Sequence, residues 1–279
     1  MEMGSEAFIE AHQLGFSYTA PATFWQRLIN KPTTSVRVLK KISFGIPKGQ
    51  HVVVFGRAGA GKSTLLKLLA GLETPTEGTL HVAGRTMSER NESTHRGYVS
   101  LQAAPAGSAL SSSEQLRAQI ARAVAAHAPV ILLDDVADEL GISATKILLA
   151  EQLLGHTVII ATRHGSTADA LDLPLLLMHQ GTIAHHGTRE ALARTVPLPR
   201  TVTLWLEGVQ YDVIRRLKSH PGVLEVKLTP TTNFLGQRLD ITLRSTRFLP
   251  SLYDSATQLP LVRIEETPAR VTDAIDLIP

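Results

Sequence analysis

The stretch Gly56-Arg57-Ala58-Gly59-Ala60-Gly61-Lys62-Ser63-Thr64 gathers three glycines, a lysine and two hydroxyls into nine residues. That combination suits a chain of phosphates. Backbone N–H groups at a helix N-terminus bind phosphate oxygens, glycines keep Cβ atoms out of the way, and a lysine reaches the outer phosphates. Gly56, Gly59 and Gly61 meet the first need and Lys62 the second, while Ser63 stands where its hydroxyl can ligate Mg2+. A magnesium ion bound to phosphate also calls for an acid at the end of a buried strand. Val130-Ile131-Leu132-Leu133-Asp134-Asp135 provides one in Asp134, binding directly or through water.

Such a cradle requires strand, glycine loop and helix in succession. Residues 50–55 form a β-branched run ending at Gly56, and residues 62–72 carry apolar residues at helical spacing. Further strands are expected at 79–82, 98–101, 130–133 and 157–161, and a helix at 114–126. Short apolar strands alternating with helices predict an α/β fold with a mainly parallel sheet covered on both faces. Residues 21–34, which contain Phe24-Trp25, read as an insertion in a hairpin. At Pro197-Leu198-Pro199 the rhythm changes, and strand, helix, strand, strand, helix, strand follow within about eighty residues. This βαββαβ order predicts a ferredoxin-like α+β domain. The expected domains are therefore 1–198, carrying the cradle, and 199–279, a small accessory domain.

Composition narrows the function. There is no cysteine, which excludes disulfides, thiolate metal sites and cysteine nucleophiles. No run of eighteen apolar residues and no leader-like N-terminus is present, so the chain is expected neither to span a membrane nor to be exported. A net charge of +3 without a basic block gives no reason to expect nucleic acid. Met178-His179-Gln180-Gly181 and His185-His186 bring three histidines to one hairpin, but no carboxylate completes a metal set there.

Beyond the cradle, Leu39-Lys40-Lys41-Ile42-Ser43-Phe44, Lys48-Gly49-Gln50, Leu65 to Leu72, Pro75-Thr76-Glu77-Gly78 and Gly181-Thr182-Ile183-Ala184 resemble ABC-type ATPase domains almost residue by residue. The resemblance spans residues 7 to about 195 and implies a P-loop NTPase fold with Mg-ATP as the ligand. By the same resemblance, Tyr18 in Phe16-Ser17-Tyr18 takes the place of the aromatic that stacks on adenine. Gln102 matches the glutamine that senses magnesium and the attacking water. Asp135 stands where the family carries the glutamate that polarises water, and Arg163 where it carries the switch histidine, with His164 one position late. The C-terminal part is similar to the small domain appended to ATPases of the ABC-2 export type.

The departures from the family pattern are specific. The signature Leu-Ser-Gly-Gly-Gln, which serves the nucleotide of the opposite subunit, corresponds here to Leu110-Ser111-Ser112-Ser113-Glu114. Serine side chains crowd a backbone meant to approach the γ-phosphate, and glutamate brings negative charge. Asp135 keeps the carboxylate on an arm one methylene shorter, and a misplacement of about 1 Å can cost on the order of a hundredfold in rate. Only eight residues separate Gln102 from Ser111, where the family has a helical subdomain of several dozen.

These features imply an ATP-binding subunit that hydrolyses slowly or only with a partner. Its expected partners are a second ABC-type ATPase subunit and integral membrane subunits, which would hold it on the cytoplasmic face. The alternative is a non-hydrolysing regulatory or scaffold protein in which ATP binding controls assembly.

Overall fold

The computed structural model describes residues 7–19, 35–87, 97–101, 110–195, 199–207, 211–229, 237–256, 260–267 and 270–275. The chain divides into two compact units, Met1–Arg189 and Glu190–Leu277. Gln102, the insertion at 21–34 and Pro197-Leu198 lie outside the described residues.

The larger unit holds two sheets. In the first, β1 (Ile9–Thr19) pairs antiparallel with β2 (Ser35–Ile46) on one side and β4 (Glu77–Val82) on the other, and β4 pairs with β5 (Arg85–Thr86). The strand expected at 79–82 thus belongs to an antiparallel layer rather than to the parallel sheet. Its alternation of exposed and buried residues is what a sheet with one solvated face requires.

The second sheet has the order β10-β9-β3-β8-β7-β6. Its members are β3 (His51–Phe55), β6 (Tyr98–Val99), β7 (Val130–Asp134), β8 (Thr157–Thr162), β9 (Leu175–His179) and β10 (Thr182–Gly187). All its pairings are parallel except the β9–β10 hairpin. Every residue of β7 and β8 is buried, as expected of strands covered on both faces.

The unit's helices are α1 (Lys62–Leu69), α2 (Ser112–Ala125), α3 (Val136–Leu140), α4 (Ile142–Ile147), which continues as a π-helical turn at Leu148–Gln152, and α5 (Gly165–Leu171). Leu65, Leu66, Leu68 and Leu69 of α1 are fully buried in one cluster with Val52, Val54, Leu132, Ile159 and Leu176 of the parallel sheet. This packing fixes the start of α1 against the strand ends, which is where a site must form in a parallel sheet. Next comes α6 (Arg189–Thr195), whose first residue is tied back by an Arg189–Asp172 ion pair of 2.7 Å.

The smaller unit contains β11 (Arg200–Leu206), α7 (Tyr211–Lys218), β12 (Val223–Thr229), β13 (Gln237–Leu243), α8 (Leu249–Ala256), β14 (Leu261–Thr267) and α9 (Val271–Ile275). Its antiparallel sheet runs β12-β13-β11-β14, the ferredoxin-like order. Val202, Leu204, Leu239, Ile241 and Leu243 pack under Leu217 of α7 and Leu252 and Ala256 of α8, so both helices cover one face. On β11, β12 and β13, Asp240 accepts hydrogen bonds from Thr203 Oγ1 at 2.7 Å, Thr229 Oγ1 at 2.9 Å and Arg238 Nε at 3.0 Å. Among the described residues, no helix is long and apolar enough to cross a membrane.

Candidate functional site

The buried strand β3 runs directly into Gly56, and the loop closes through Ala60 N–H donating to Arg57 O at 3.1 Å before α1 begins at Lys62. Two of the glycines answer to the protein's own packing. A Cβ on Gly56 would stand 2.5 Å from Met178 O of β9, so the loop rests on the neighbouring strand. Gly61, the residue before α1, has φ 98°, and a Cβ there would meet Leu39 Cδ2 at 2.8 Å. Side-chain-bearing residues rarely adopt that backbone conformation. Among the described residues no side chain caps α1, which leaves the amides of its first turn for an anion.

Ser63 and Asp134 meet as the sequence requires. Ser63 Oγ donates to Asp134 Oδ1 at 3.0 Å, which joins the first turn of α1 to the end of β7. A hydroxyl and a carboxylate side by side form the hard-oxygen donor pair that Mg2+ prefers. The other carboxylate oxygen, Oδ2, accepts from Tyr98 Oη at 2.8 Å. Tyr98 was missed by the sequence reading, because a tyrosine in a short apolar strand looks like a core residue. Burial, followed by the Asp134 carboxylate, pushes its phenol well above the ordinary tyrosine value, so it stays protonated and can donate.

Lys62 is 7% exposed, and its Nζ donates to Gly56 O at 2.9 Å and Arg57 O at 3.2 Å. Burial lowers its pKa, against the opposing pull of Asp135 and Asp134. Asp135 follows β7 with φ 56°, a left-handed conformation that aspartate tolerates better than most residues, and its N–H donates to Ala161 O at 3.1 Å. Partial burial and then the adjacent Asp134 raise the Asp135 pKa above the ordinary carboxylate range, with Lys62 opposing.

A cavity of ≈ 310 Å³ opens over these groups, lined among others by Ser63, Asp134, Asp135, Leu101, Arg163 and His164. Both switch candidates therefore reach the same space. Arg163 bears electrostatically on Lys62 and on Asp135. The turn that carries Arg163 and His164 is held by Asp138, a second residue the sequence reading missed. Asp138 accepts from Thr162 Oγ1 at 2.9 Å and Thr167 Oγ1 at 2.8 Å, while His164 N–H donates to Thr162 Oγ1 at 3.0 Å. Two threonines flanking the 163–164 turn were the available signal.

Tyr18 lies beside the cradle, its Oη 3.5 Å from Thr64 Oγ1 and its ring edge-on to Phe16 at 4.7 Å. At 39% exposure the ring remains open to a ligand. Thr64 itself is buried in α1, and Arg57 and Ala58 lie in the exposed part of the loop.

The segment Leu110 to Glu114 opens α2 in a capping box. Glu114 Oε2 accepts from Ser111 Oγ at 2.6 Å and from Ser111 N–H at 2.9 Å, and Glu114 N–H donates to Ser111 Oγ at 3.4 Å. The Ser111 side-chain bond, then the backbone bond, hold the Glu114 carboxyl below its ordinary pKa. The protein's own carboxylate thus sits at a helix start that would otherwise favour an anion.

Comparison with known proteins gives a consistent result. The family model for ABC transporters matches residues 39–105. The aliphatic sulfonates import ATP-binding protein SsuB of Escherichia coli K12 is 30% identical over 233 residues, covering 68% of this chain and 89% of that protein. SsuB 3 of Pseudomonas savastanoi pv. phaseolicola is 29% identical over 241 residues, covering 70% and 86%. Two solved structures share the fold. The dimeric MJ0796, a bacterial ABC transporter cassette, has a TM-score of 0.50 at 20% identity, covering 64% of this chain and 98% of that one. The protein cbiO1 from Clostridium perfringens, part of the cbiONQ ABC transporter complex, has a TM-score of 0.52 at 17% identity, covering 68% and 92%. With a phosphate cradle, a facing magnesium-type acid and 30% identity across most of a curated relative, the chain belongs to the family of ABC transporter ATP-binding proteins.

Proposed function

We propose that this protein is a nucleotide-binding subunit that holds Mg-ATP tightly and turns it over slowly, within an assembly whose second ATPase subunit is more regular. The observation that carries the unequal assembly is the self-capped start of α2, where Glu114 engages both the hydroxyl and the N–H of Ser111, while slow turnover of the chain's own nucleotide rests on the short arm of Asp135. In this reading the phosphates lie on the amides of Gly59 to Thr64 and against Lys62, and adenine stacks on Tyr18. Ser63 and Asp134 hold Mg2+, a role in which Gln102 shares. The ion would neutralise charge on the phosphates while Asp135 orients water, and Arg163 or His164 meets the γ-phosphate.

A nucleotide in this cradle would be completed by the signature of the partner subunit. The partner's nucleotide would meet Ser112, Ser113 and the anionic Glu114, which is why the two sites of one assembly should differ. Binding to membrane subunits would place the chain on the cytoplasmic face. The short segment between Gln102 and Ser111 leaves no room for a helical subdomain. In keeping with this, the stretch matched to SsuB is 233 residues long yet takes up 68% of this 279-residue chain, so the relative carries residues without counterpart here. The accessory domain, residues 199–279, is carried in addition to the nucleotide-binding part. Its βαββαβ order supports kinship with ABC-2 export-type ATPases.

The experiment is ATP turnover by the purified chain, alone and with its co-purifying subunits. Turnover should be slow alone and faster in the complex. Ser112→Gly, Ser113→Gly and Glu114→Gln together should raise turnover of the complex by about tenfold or more, since they remove a charge from the partner's γ-phosphate site. Brisk turnover by the lone wild-type chain would refute the reading. The missing subdomain also favours a second reading, an ATP-controlled scaffold, which requires that bound ATP stay uncleaved in the full complex.

A further inference from the structure

The Mg2+ ligand Asp134 is held from two sides, and only one of them belongs to the cradle. Ser63 Oγ engages Oδ1, and Tyr98 Oη engages Oδ2 at 2.8 Å, so each carboxylate oxygen has its own donor. Tyr98 comes from β6, the strand beside β7 at the sheet edge, in register with Leu132 and two residues short of the Asp134 position. Its ring packs against the main core, which leaves the hydroxyl little freedom to wander.

The phenol is itself backed. Ser100 contributes a side-chain hydrogen bond to Tyr98. The backbone of Ser100 is gripped at both its polar groups by the buried side chain of Gln119 in α2, N–H to Oε1 at 3.3 Å and Nε2 to carbonyl at 3.1 Å. The result is a continuous line from α2 through Gln119, Ser100, Tyr98 and Asp134 to Ser63. Partners that orient a metal-binding carboxylate govern metal affinity, and losing one typically costs about 10–100-fold.

From this geometry we infer that Tyr98 is a positioning residue for magnesium: by occupying Oδ2 it turns Oδ1 of Asp134 toward Ser63, the place where the ion on the phosphates must bind. The inference rests on the Mg-ATP reading given above. It assigns Tyr98 no contact with nucleotide or metal, so its loss must act through Asp134 alone.

The test is a Mg2+ titration of a fluorescent ATP analogue bound to the full-length chain, compared with binding in EDTA. Tyr98→Phe keeps the ring and removes only the hydroxyl. Affinity in EDTA should match wild type within about twofold, while the Mg2+ concentration at half effect should rise about tenfold or more. Asp134→Asn should give a shift at least as large, and Tyr98→Phe added to it should shift the titration little further, because the two act in series. A Mg2+ midpoint unchanged in Tyr98→Phe overturns the inference. So does an equal loss of affinity in EDTA, which would mean the hydroxyl supports the cradle's structure instead. Failure of the Mg-ATP reading is a different result, absence of nucleotide binding by the wild-type chain in both conditions.

Discussion

Replacing Lys62 by alanine should lower affinity for ATP by about tenfold to a hundredfold, in Mg2+ and in EDTA alike. A charge-assisted hydrogen bond to phosphate contributes about 1.5–3 kcal/mol, and each 1.4 kcal/mol is a factor of ten in affinity. The ammonium has that contribution to give, since it is 7% exposed and lies on the loop carbonyls of Gly56 and Arg57. Moving from those carbonyls to phosphate exchanges two neutral acceptors for charged ones.

The fold should not depend on the ammonium. Its lowered pKa means the charged form is less favourable in the folded chain than in the unfolded one. For a lysine with a depressed folded pKa, ionisation opposes folding at pH values below that folded pKa, and the penalty fades as pH rises through it. The alanine variant should therefore keep its thermal midpoint within a few degrees while losing nucleotide. Lys62→Arg should not rescue binding, because a planar guanidinium does not fit a site built for a compact point charge. Calorimetry showing wild-type ATP affinity in Lys62→Ala would remove the basis for every role assigned around the cradle.

The cradle was legible in the sequence because its requirements are local. Glycine loop, lysine and hydroxyl lie within nine residues, and the strand and helix that hold them show their own periodicity. The facing acid was legible for a related reason, since Val130 to Leu133 is an unbroken apolar run of the kind a covered strand carries. The βαββαβ order of the smaller unit could likewise be read element by element. What escaped was contact between elements. Tyr98 and Asp134 are 36 residues apart, and only the parallel pairing of β6 with β7 brings them together. Asp138 of α3 and Thr162 at the end of β8 likewise meet only in the fold. Of the antiparallel layer, the β1–β2 hairpin was readable from the insertion at 21–34, but its pairing with β4 and β5 was hidden because strand periodicity states which face is buried without naming the partner strand. The capping box at Ser111 spans three residues and was readable in principle as Ser-x-x-Glu. Its weight for function appears only once Glu114 is seen bonded to Ser111.

The carboxylate after β7 should respond to the length of its arm as well as to its charge. Asp135→Glu is expected to raise ATP turnover of the complex by about tenfold to a hundredfold, because the added methylene restores the reach toward water that a shift of about 1 Å removes. Asp135→Asn should abolish the residual turnover while leaving ATP binding intact, since Asp135 hydrogen-bonds through its backbone N–H and asparagine also tolerates φ 56°. These measurements require the partner subunit, because the nucleotide held by this chain is completed by the partner's signature. If Asp135→Glu leaves the complex as slow as before, arm length is not what limits hydrolysis, and the scaffold reading gains.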